Sequence, residues 1–332
     1  MTSPQSQSSH RANEPSESHQ PAGVVACGSK NCHWHGKTAV ICGGSQGLGL
    51  SIAEELMQQN IAHLILIARN REQLTRAAEH LHSLRKNKVS KTQAAKNRTA
   101  SMQADLSENA LDRNVDIRIT PMAADLTDAK SAQAAAIEIS LVAPEVDLVI
   151  QAIGTSDRGT IAGLTRERLH ELIDTNLVTS LHAIQQLSPL FPARGGVIVL
   201  VGSLSSLFAP RFLGGYSIAK HGLVALAQQA RLELAEKGIH VMLCCPGPIA
   251  RPDSGSRYAN ETRKLDLPPE AELPGGGAKV KGLCPQRLAK HILRAAERRE
   301  LLMIRPKKAW WLRLLSAALP GLGERILRSK SS

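Results

Sequence analysis

Short apolar runs alternate with amphipathic stretches over most of this chain. Runs at 37–42, 62–67, 115–119, 146–150, 197–201 and 241–245 read as strands. After the first comes a helical pattern with Leu50, Ile52, Ala53, Leu56 and Met57 on one face. A long helix is expected over 166–190, another over 216–235 and a peripheral one over 284–299, with a last edge strand at 301–304. Strands alternating with helices predict a parallel sheet covered on both faces. Asn176 interrupts the 166–190 pattern. Asparagine competes for backbone hydrogen bonds, so a kink or a water-holding role is expected there.

Two regions break the rhythm. Residues 1–35 hold almost no large apolar side chain and predict a disordered tail with no secretory signal. Within it, Cys27, Cys32, His33 and His35 match no standard zinc spacing and no second ligand pair follows, so no metal site is expected. At 83–115, Lys86, Lys88, Lys91, Lys96 and Arg98 sit among Asn, Gln, Ser and Ala. That composition predicts an inserted surface excursion. One domain is expected over 36–305.

Composition sharpens the picture. The formal net charge is +12, and from residue 276 onward fourteen Lys/Arg face three Glu, so +11 of it lies in the last part of the chain. Three Trp, two Tyr and three Phe are too few to interleave a basic nucleic-acid surface, and no nucleic-acid partner is expected. Six cysteines in 332 residues, two of them adjacent at Cys244 and Cys245, suit a reducing compartment. A cytoplasmic location is expected. The tail 306–332 places Trp310 and Trp311 beside Lys307 and Lys308. Its apolar run is interrupted by Arg313 and Pro320, far short of the ~20 residues a span needs. It reads as an amphipathic segment that lies on a membrane surface or packs on protein.

Two stretches carry chemistry. At 43–49, G-G-S-Q-G-L-G joins a strand to a helix, so Gly43, Ser45, Gln46, Gly47, Leu48 and Gly49 form a turn that admits a pyrophosphate to the helix N-terminus. The next strand ends Ala68-Arg69, where an acidic residue would bond a ribose 2′-hydroxyl. Arg69 can pair instead with a 2′-phosphate, so NADP(H) is the expected cofactor, the other reading being an ordinary surface arginine. Asp125 and Leu126 follow a strand at a place suited to the adenine. The second stretch is 203–220, with Ser203, Tyr216 thirteen positions on and Lys220 four beyond that. In a helix Tyr216 and Lys220 share a face. A free phenol has a pKa near ~10, and a neighbouring cation lowers it towards the working range. Ser203 can hold the same substrate oxygen.

The order G-x-x-x-G-x-G, Asp-Leu, Asn, Ser, Tyr-x-x-x-Lys, Pro-Gly resembles that of the short-chain dehydrogenase/reductase family. The resemblance runs from about Gly36 to Arg305 and implies a single α/β domain of Rossmann type, a doubly wound parallel sheet. By position it implies that Tyr216 is the general acid/base, Ser203 the residue holding the substrate oxygen, and Lys220 the residue that tunes Tyr216 and binds the nicotinamide ribose. Asn176 resembles the anchor of a proton-relay water. Gly154 ends the strand beneath the cofactor, and Pro246, Gly247 and Ile249 resemble the segment flanking the nicotinamide. Within the family, G-G-S-Q-G-L-G and L-I-A-R-N look most similar to 3-ketodihydrosphingosine reductases. Three positions depart from the usual pattern: Cys42 for a threonine, Gln151-Ala152-Ile153-Gly154 for Asn-Asn-Ala-Gly, and Arg251 for a threonine.

The expected function is NADPH-dependent reduction of a small-molecule ketone, lipid-like in one reading, to a secondary alcohol. A 3-oxoacyl-carrier-protein reductase is a second enzyme reading, and a non-catalytic NADP-binding sensor a third of a different class. A homo-oligomer is the expected assembly.

Overall fold

The computed structural model describes residues 33–99, 116–252, 258–273, 275 and 282–330. Seven parallel strands form one sheet: β1 (Thr38–Cys42), β2 (His63–Ala68), β3 (Arg118–Ala123), β4 (Leu148–Gln151), β5 (Gly196–Val201), β6 (Ile239–Pro246) and β7 (Leu302–Arg305). Their spatial order is β3-β2-β1-β4-β5-β6-β7, with β7 at the edge as expected. The order reverses between β1 and β4, and in such sheets ligands bind outside the carboxyl ends of the strands at that point.

The strands are apolar on both sides because both sides are covered. Val40 and Cys42 of β1 pack into one core with residues of α3 (Ala129–Val142), α5 (Thr179–Leu187) and α6 (Tyr216–Leu234). Ala39 and Ile41 pack into the other, with α1 (Gly47–Gln58), α2 (Arg71–Thr99) and α8 (Pro285–Glu297). Alternating residues of one strand thus serve opposite cores.

Four expectations are corrected. The third strand begins at Arg118 rather than at 115, a position outside the described residues, and it carries Pro121 in mid-strand. Proline is tolerated because β3 is an edge strand, paired only with β2. The pattern does not break at 83. Helix α2 continues to Thr99, since Lys, Arg, Gln and Ala favour helix without any apolar stripe. The rest of the expected excursion, 100–115, lies outside the described residues. Trp34, assigned to the tail, is only 1% exposed and belongs to the core against α1 and α8, with Lys37 over its ring at 5.1 Å. The disorder expected for 1–32, with Cys27 and Cys32, also falls outside the described residues. Finally, 166–190 is not one helix. Helix α4 (Arg166–Ile173) passes through a π-helical turn at Asp174–Val178 into α5, and a 3-10 turn closes it at Ser188–Leu190. The kink expected at Asn176 falls inside that π turn.

After β7 the tail forms α9 (Ala309–Ala318) and α10 (Pro320–Lys330), packed on each other. A shorter helix, α7 (Ala259–Lys264), lies in the connection between β6 and α8. Among the described residues no helix is long and apolar enough to cross a membrane, and no group of His, Cys, Asp or Glu could hold a metal ion.

Candidate active site

The glycine turn leaves β1 and enters α1 at the sheet's switch point. Gly43 has φ +83° and Gly47 φ +57°, conformations that favour glycine. A Cβ on Gly49 would lie 2.1 Å from the Gly43 carbonyl oxygen, so the turn closes only without one. Gln46 precedes α1 without capping it through its side chain, and the first turn of the helix holds no acidic residue. The first amides and the positive end of the helix dipole are therefore left without a side-chain cap or a local carboxylate, a donor set that fits a diphosphate. Arg251 reaches the same turn: its Nη2 lies 3.9 Å from where a Gly47 Cβ would be. The residue that departs from the usual threonine thus lies against the glycine turn.

Arg69 stands at the exit of β2, 69% exposed, with Nη1 4.0 Å from Asp125 Oδ2. Asp125 Oδ1 accepts hydrogen bonds from the amide and hydroxyl of Thr127 at 2.9 and 2.8 Å, which fixes the turn after β3. Leu126 is buried in the core. Of the departures in the strands, Cys42 is buried, which pushes its thiol up to about 12 and leaves it inert. Gln151 takes over a supporting hydrogen bond: its Oε1 accepts from the Ile153 amide at 3.0 Å, while its Nε2 is buried with no partner among the described residues.

The catalytic set assembles around the exit of β4 and β5. Ser203 follows β5 and caps a 3-10 turn at Leu204–Ser206, its Oγ accepting from the Ser205 amide at 3.1 Å. Tyr216 opens α6 and is hydrogen-bonded to the Ser203 side chain. Lys220, one turn on, is 3% exposed, and its Nζ donates to the Val201 carbonyl oxygen at 3.1 Å. Gly154 lets these groups close up. A Cβ there would meet Asn176 Oδ1 at 2.8 Å and Lys220 Nζ at 3.1 Å. Asn176 is fully buried and its amide is spent on the main chain: Oδ1 accepts from the Thr155 amide, and Nδ2 donates to the carbonyls of Thr155 and Leu172. Pro246 ends β6, Gly247 donates its amide to the Arg305 carbonyl at 2.7 Å, and Ile249 forms a bridge with Leu283.

Electrostatics correct one expectation. Lys220 was expected to lower the Tyr216 pKa. Its Nζ lies 5.8 Å from the phenol ring, and burial dominates. Desolvation pushes Tyr216 up to about 12, against the smaller downward effect of the Ser203 hydrogen bond. The same burial brings Lys220 down to about 8.

The sequence missed a buried arginine and its partners. Arg158, in the loop after β4, is 3% exposed, and its guanidinium stacks on the Tyr258 ring at 3.6 Å. Beside it, Asp157 is buried and takes Arg168 on Oδ1 at 2.7 Å. Nothing but an isolated charge in a loop marks these positions in the sequence. An apolar groove of about 690 Å³ opens on the outer side of α6, lined by Phe212, Leu213, Ser217, Ile218 and His221 among others. Neither Ser203 nor Tyr216 lines it, so it is not the catalytic space.

The family model described as short chain dehydrogenase matches residues 37–117 and 91–262. The chain belongs to that family and is an oxidoreductase. A dehydrogenase/reductase SDR family protein 7-like from Drosophila melanogaster is 27% identical over 296 residues, 86% of this chain and 78% of its own length. The ketoacyl reductase HetN from Nostoc is 27% identical over 217 residues, 65% of this chain and 64% of its own. Among solved structures, an L-sorbose reductase from Gluconobacter frateurii in complex with NADPH and L-sorbose superposes with TM-score 0.64 at 20% identity, covering 82% of this chain and 96% of that one. A family member from Burkholderia phymatum in complex with NAD gives TM-score 0.66 at 17% identity, covering 87% and 95%. At these identities the structures establish the fold, and the bound cofactors belong to those proteins.

Proposed function

We propose that this enzyme uses NADPH to reduce a ketone to a secondary alcohol. The observation that carries the reading is the Ser203, Tyr216 and Lys220 set gathered at the sheet edge that also holds the glycine turn. Bound NADPH would supply the hydride to the carbonyl carbon. Burial keeps Tyr216 protonated at neutral pH, the form in which it gives its proton to the carbonyl oxygen as negative charge develops there. Ser203 orients that oxygen by a hydrogen bond, and Lys220 supplies a positive charge one helical turn away. The Asn176 side chain is committed to Thr155 and Leu172, so a relay water would be held by main-chain carbonyls of the π turn. Gly43, Ser45, Gln46, Gly47, Leu48 and Gly49 would cradle the diphosphate with Arg251 beside them. Arg69 would take the 2′-phosphate of NADP(H), and Asp125 and Leu126 would flank the adenine.

A long-chain, lipid-like 3-keto substrate is the favoured class, supported by the likeness to 3-ketodihydrosphingosine reductases and by the tail. Helix α9 follows the strand whose Arg305 carbonyl binds Gly247, so the tail leaves the fold at the catalytic edge. It holds Trp311 70% exposed and Trp310 and Leu314 exposed beside Lys307 and Lys308. Exposed Trp and Leu next to cations suit an anionic membrane surface. The name of the Nostoc relative favours a second reading, reduction of a 3-ketoacyl group on an acidic carrier. NADPH oxidation against ketones of increasing chain length, free and carrier-bound, tests both. Loss of NADPH that scales with a free acyl chain supports the lipid reading, carrier dependence supports the second, and no oxidation with any ketone overturns the reductase assignment. Sedimentation with anionic vesicles, comparing the full chain with one ending at Arg305, tests the tail. Equal sedimentation of the two chains removes it from membrane binding.

A further inference from the structure

The connection from β6 to α8 leaves the sheet at the catalytic edge and returns to it. Its neck is closed by main-chain bonds, Ala250 amide to Leu283 carbonyl and Leu283 amide to Pro248 carbonyl, both 2.8 Å. Its described body, residues 258–273, contains α7 and a 3-10 turn at Pro269–Glu272, with Thr262 and Ala271 buried. One side chain outside the body grips both of its limbs. Arg158 Nε donates to the Ala271 carbonyl, Nη2 donates to the Leu273 carbonyl at 3.1 Å, and the guanidinium face lies on the Tyr258 ring. The remaining contacts hold the arginine to its own loop: Nη1 donates to the Asp157 carbonyl at 2.7 Å and to Ser156 Oγ at 3.2 Å. That loop is itself fixed, because Asp157 is paired with Arg168 of α4 and Thr155 is bonded through both its amide and its carbonyl to Asn176.

Among the described residues, every hydrogen-bond acceptor of Arg158 is neutral. A buried guanidinium without a contacting carboxylate is costly, and forked donation to several carbonyls is what makes it tolerable. Burial lowers its pKa, and the titratable groups near enough to oppose that are Tyr258, Glu261, Asp157 and Tyr216. The loop that carries Arg158 is bonded to the approach to Tyr216, the Gly159 amide donating to the Phe212 carbonyl and the Gly214 amide to the Gly159 carbonyl, both at 3.1 Å, so Arg158 links that approach to the body of the connection. A lysine could not replace it, since an ammonium lacks the planar fork.

We propose that Arg158 is a positioning residue that latches segment 258–273 beside Tyr216 and so sets substrate affinity, while the proton-transfer step proceeds without it. The proposal rests on the reductase reading above. Among the described residues, the contacts of Arg158 with the segment are two main-chain carbonyls and one ring, so removing a single side chain frees the body while the sheet, the glycine turn and the Ser203–Tyr216 pair keep their own bonds.

The test uses the full chain with Arg158→Ala, Arg158→Lys and Tyr258→Leu. Trypsin cleavage after Arg263 or Lys264, both exposed in α7, reports the body directly and needs no substrate. We expect both Arg158 variants to be cut there ~10-fold faster or more, as a locally opened segment is, with cleavage elsewhere unchanged. With the ketone found active, KM rises ~10-fold or more, kcat stays within ~3-fold, and the Kd for NADPH in the binary complex stays within ~2-fold. Millimolar methylguanidinium slows the cleavage of Arg158→Ala and lowers its KM, a rescue that a general loss of stability would not allow. Tyr258→Leu keeps the forked hydrogen bonds and shows a smaller shift in the same direction. It carries the test if both Arg158 variants fail to fold. Cleavage of the folded variants at the wild-type rate overturns the latch, as does faster cleavage with KM unchanged. If no ketone is reduced, the reductase reading fails, and the cleavage and rescue data still decide whether Arg158 holds the segment.

Discussion

Two buried cations, Lys220 at the start of α6 and Arg158 in the loop after β4, lie near the same phenol and are handled in opposite ways. Lys220 has one hydrogen-bond acceptor among the described residues, the Val201 carbonyl, and burial brings its pKa down to about 8. Arg158 has four acceptors and an aromatic face, and a guanidinium keeps its proton throughout the physiological range. An ammonium with few partners remains adjustable, with donors to spare for a ligand. A guanidinium with nearly every donor engaged is a fixed fastener. Burial of charge in this enzyme thus serves reactivity at one site and placement at the other, and the count of partners decides which.

The largest effect that would break this contrast is at the phenol the two cations share. Tyr216→Phe should lower turnover by ~10²-fold or more, the scale of general acid catalysis, and leave the Kd for NADPH unchanged. Steady-state rates with the pure variant decide it, and near-normal turnover would remove Tyr216 from the proton step.

A smaller and more diagnostic effect concerns Lys220. Its pKa in the folded chain is about 8 against 10.5 for the ordinary group, so between these pH values the unfolded chain binds more protons. Wild-type stability from this group therefore rises with pH from about 8 to about 10.5. Lys220→Met, which removes the buried charge, should be the more stable protein below pH 8, by up to about 3 kcal/mol, while losing turnover. That advantage should shrink as pH rises through the same window. Thermal unfolding of both proteins from pH 7 to 10.5 measures it, and a pH-independent difference would mean that Lys220 does not titrate there. Arg158→Ala should show no such window, because the guanidinium does not release its proton.

The smallest effect belongs to an exposed cation. Arg69→Ala should weaken NADPH binding by ~10-fold and leave NADH binding unaltered, since one charge-assisted hydrogen bond at a solvated site is worth about that. Fluorescence titration of both cofactors checks it. Equal loss for the two would make Arg69 an ordinary surface residue paired with Asp125.

What could be read from the sequence was local. Tyr216 and Lys220 share a helix face at any burial, and a glycine turn between strand and helix exposes amides in any such fold. The strands of the interior announced themselves as apolar runs because both faces of the sheet are covered. Where local chemistry and surroundings diverged, the reading failed. The third strand, expected at 115–119, lies at Arg118–Ala123 and runs through Pro121, because tolerance of proline depends on the strand lying at the edge. The polar composition after residue 82 concealed the rest of α2, because helix propensity does not require an apolar stripe. The Tyr216 pKa was misjudged in direction because spacing gives the neighbour and says nothing of the desolvation.

The sequence by itself determined the alternation of strands and helices, the glycine turn and the spacing of Ser203, Tyr216 and Lys220. All of these follow from residues within one or two elements. Only the tertiary structure decided that Trp34 is core, that Arg251 reaches the glycine turn and that Gly154 must lack a Cβ to leave room for Asn176 and Lys220. It alone decided the role of Arg158, whose partners Ala271 and Leu273 lie 113 and 115 residues away and offer main-chain carbonyls. Every residue carries the same main-chain carbonyl, so no side-chain pattern can mark the one that an arginine will find. Distance in space, set by the sheet and the return of the chain at Leu283, makes that choice.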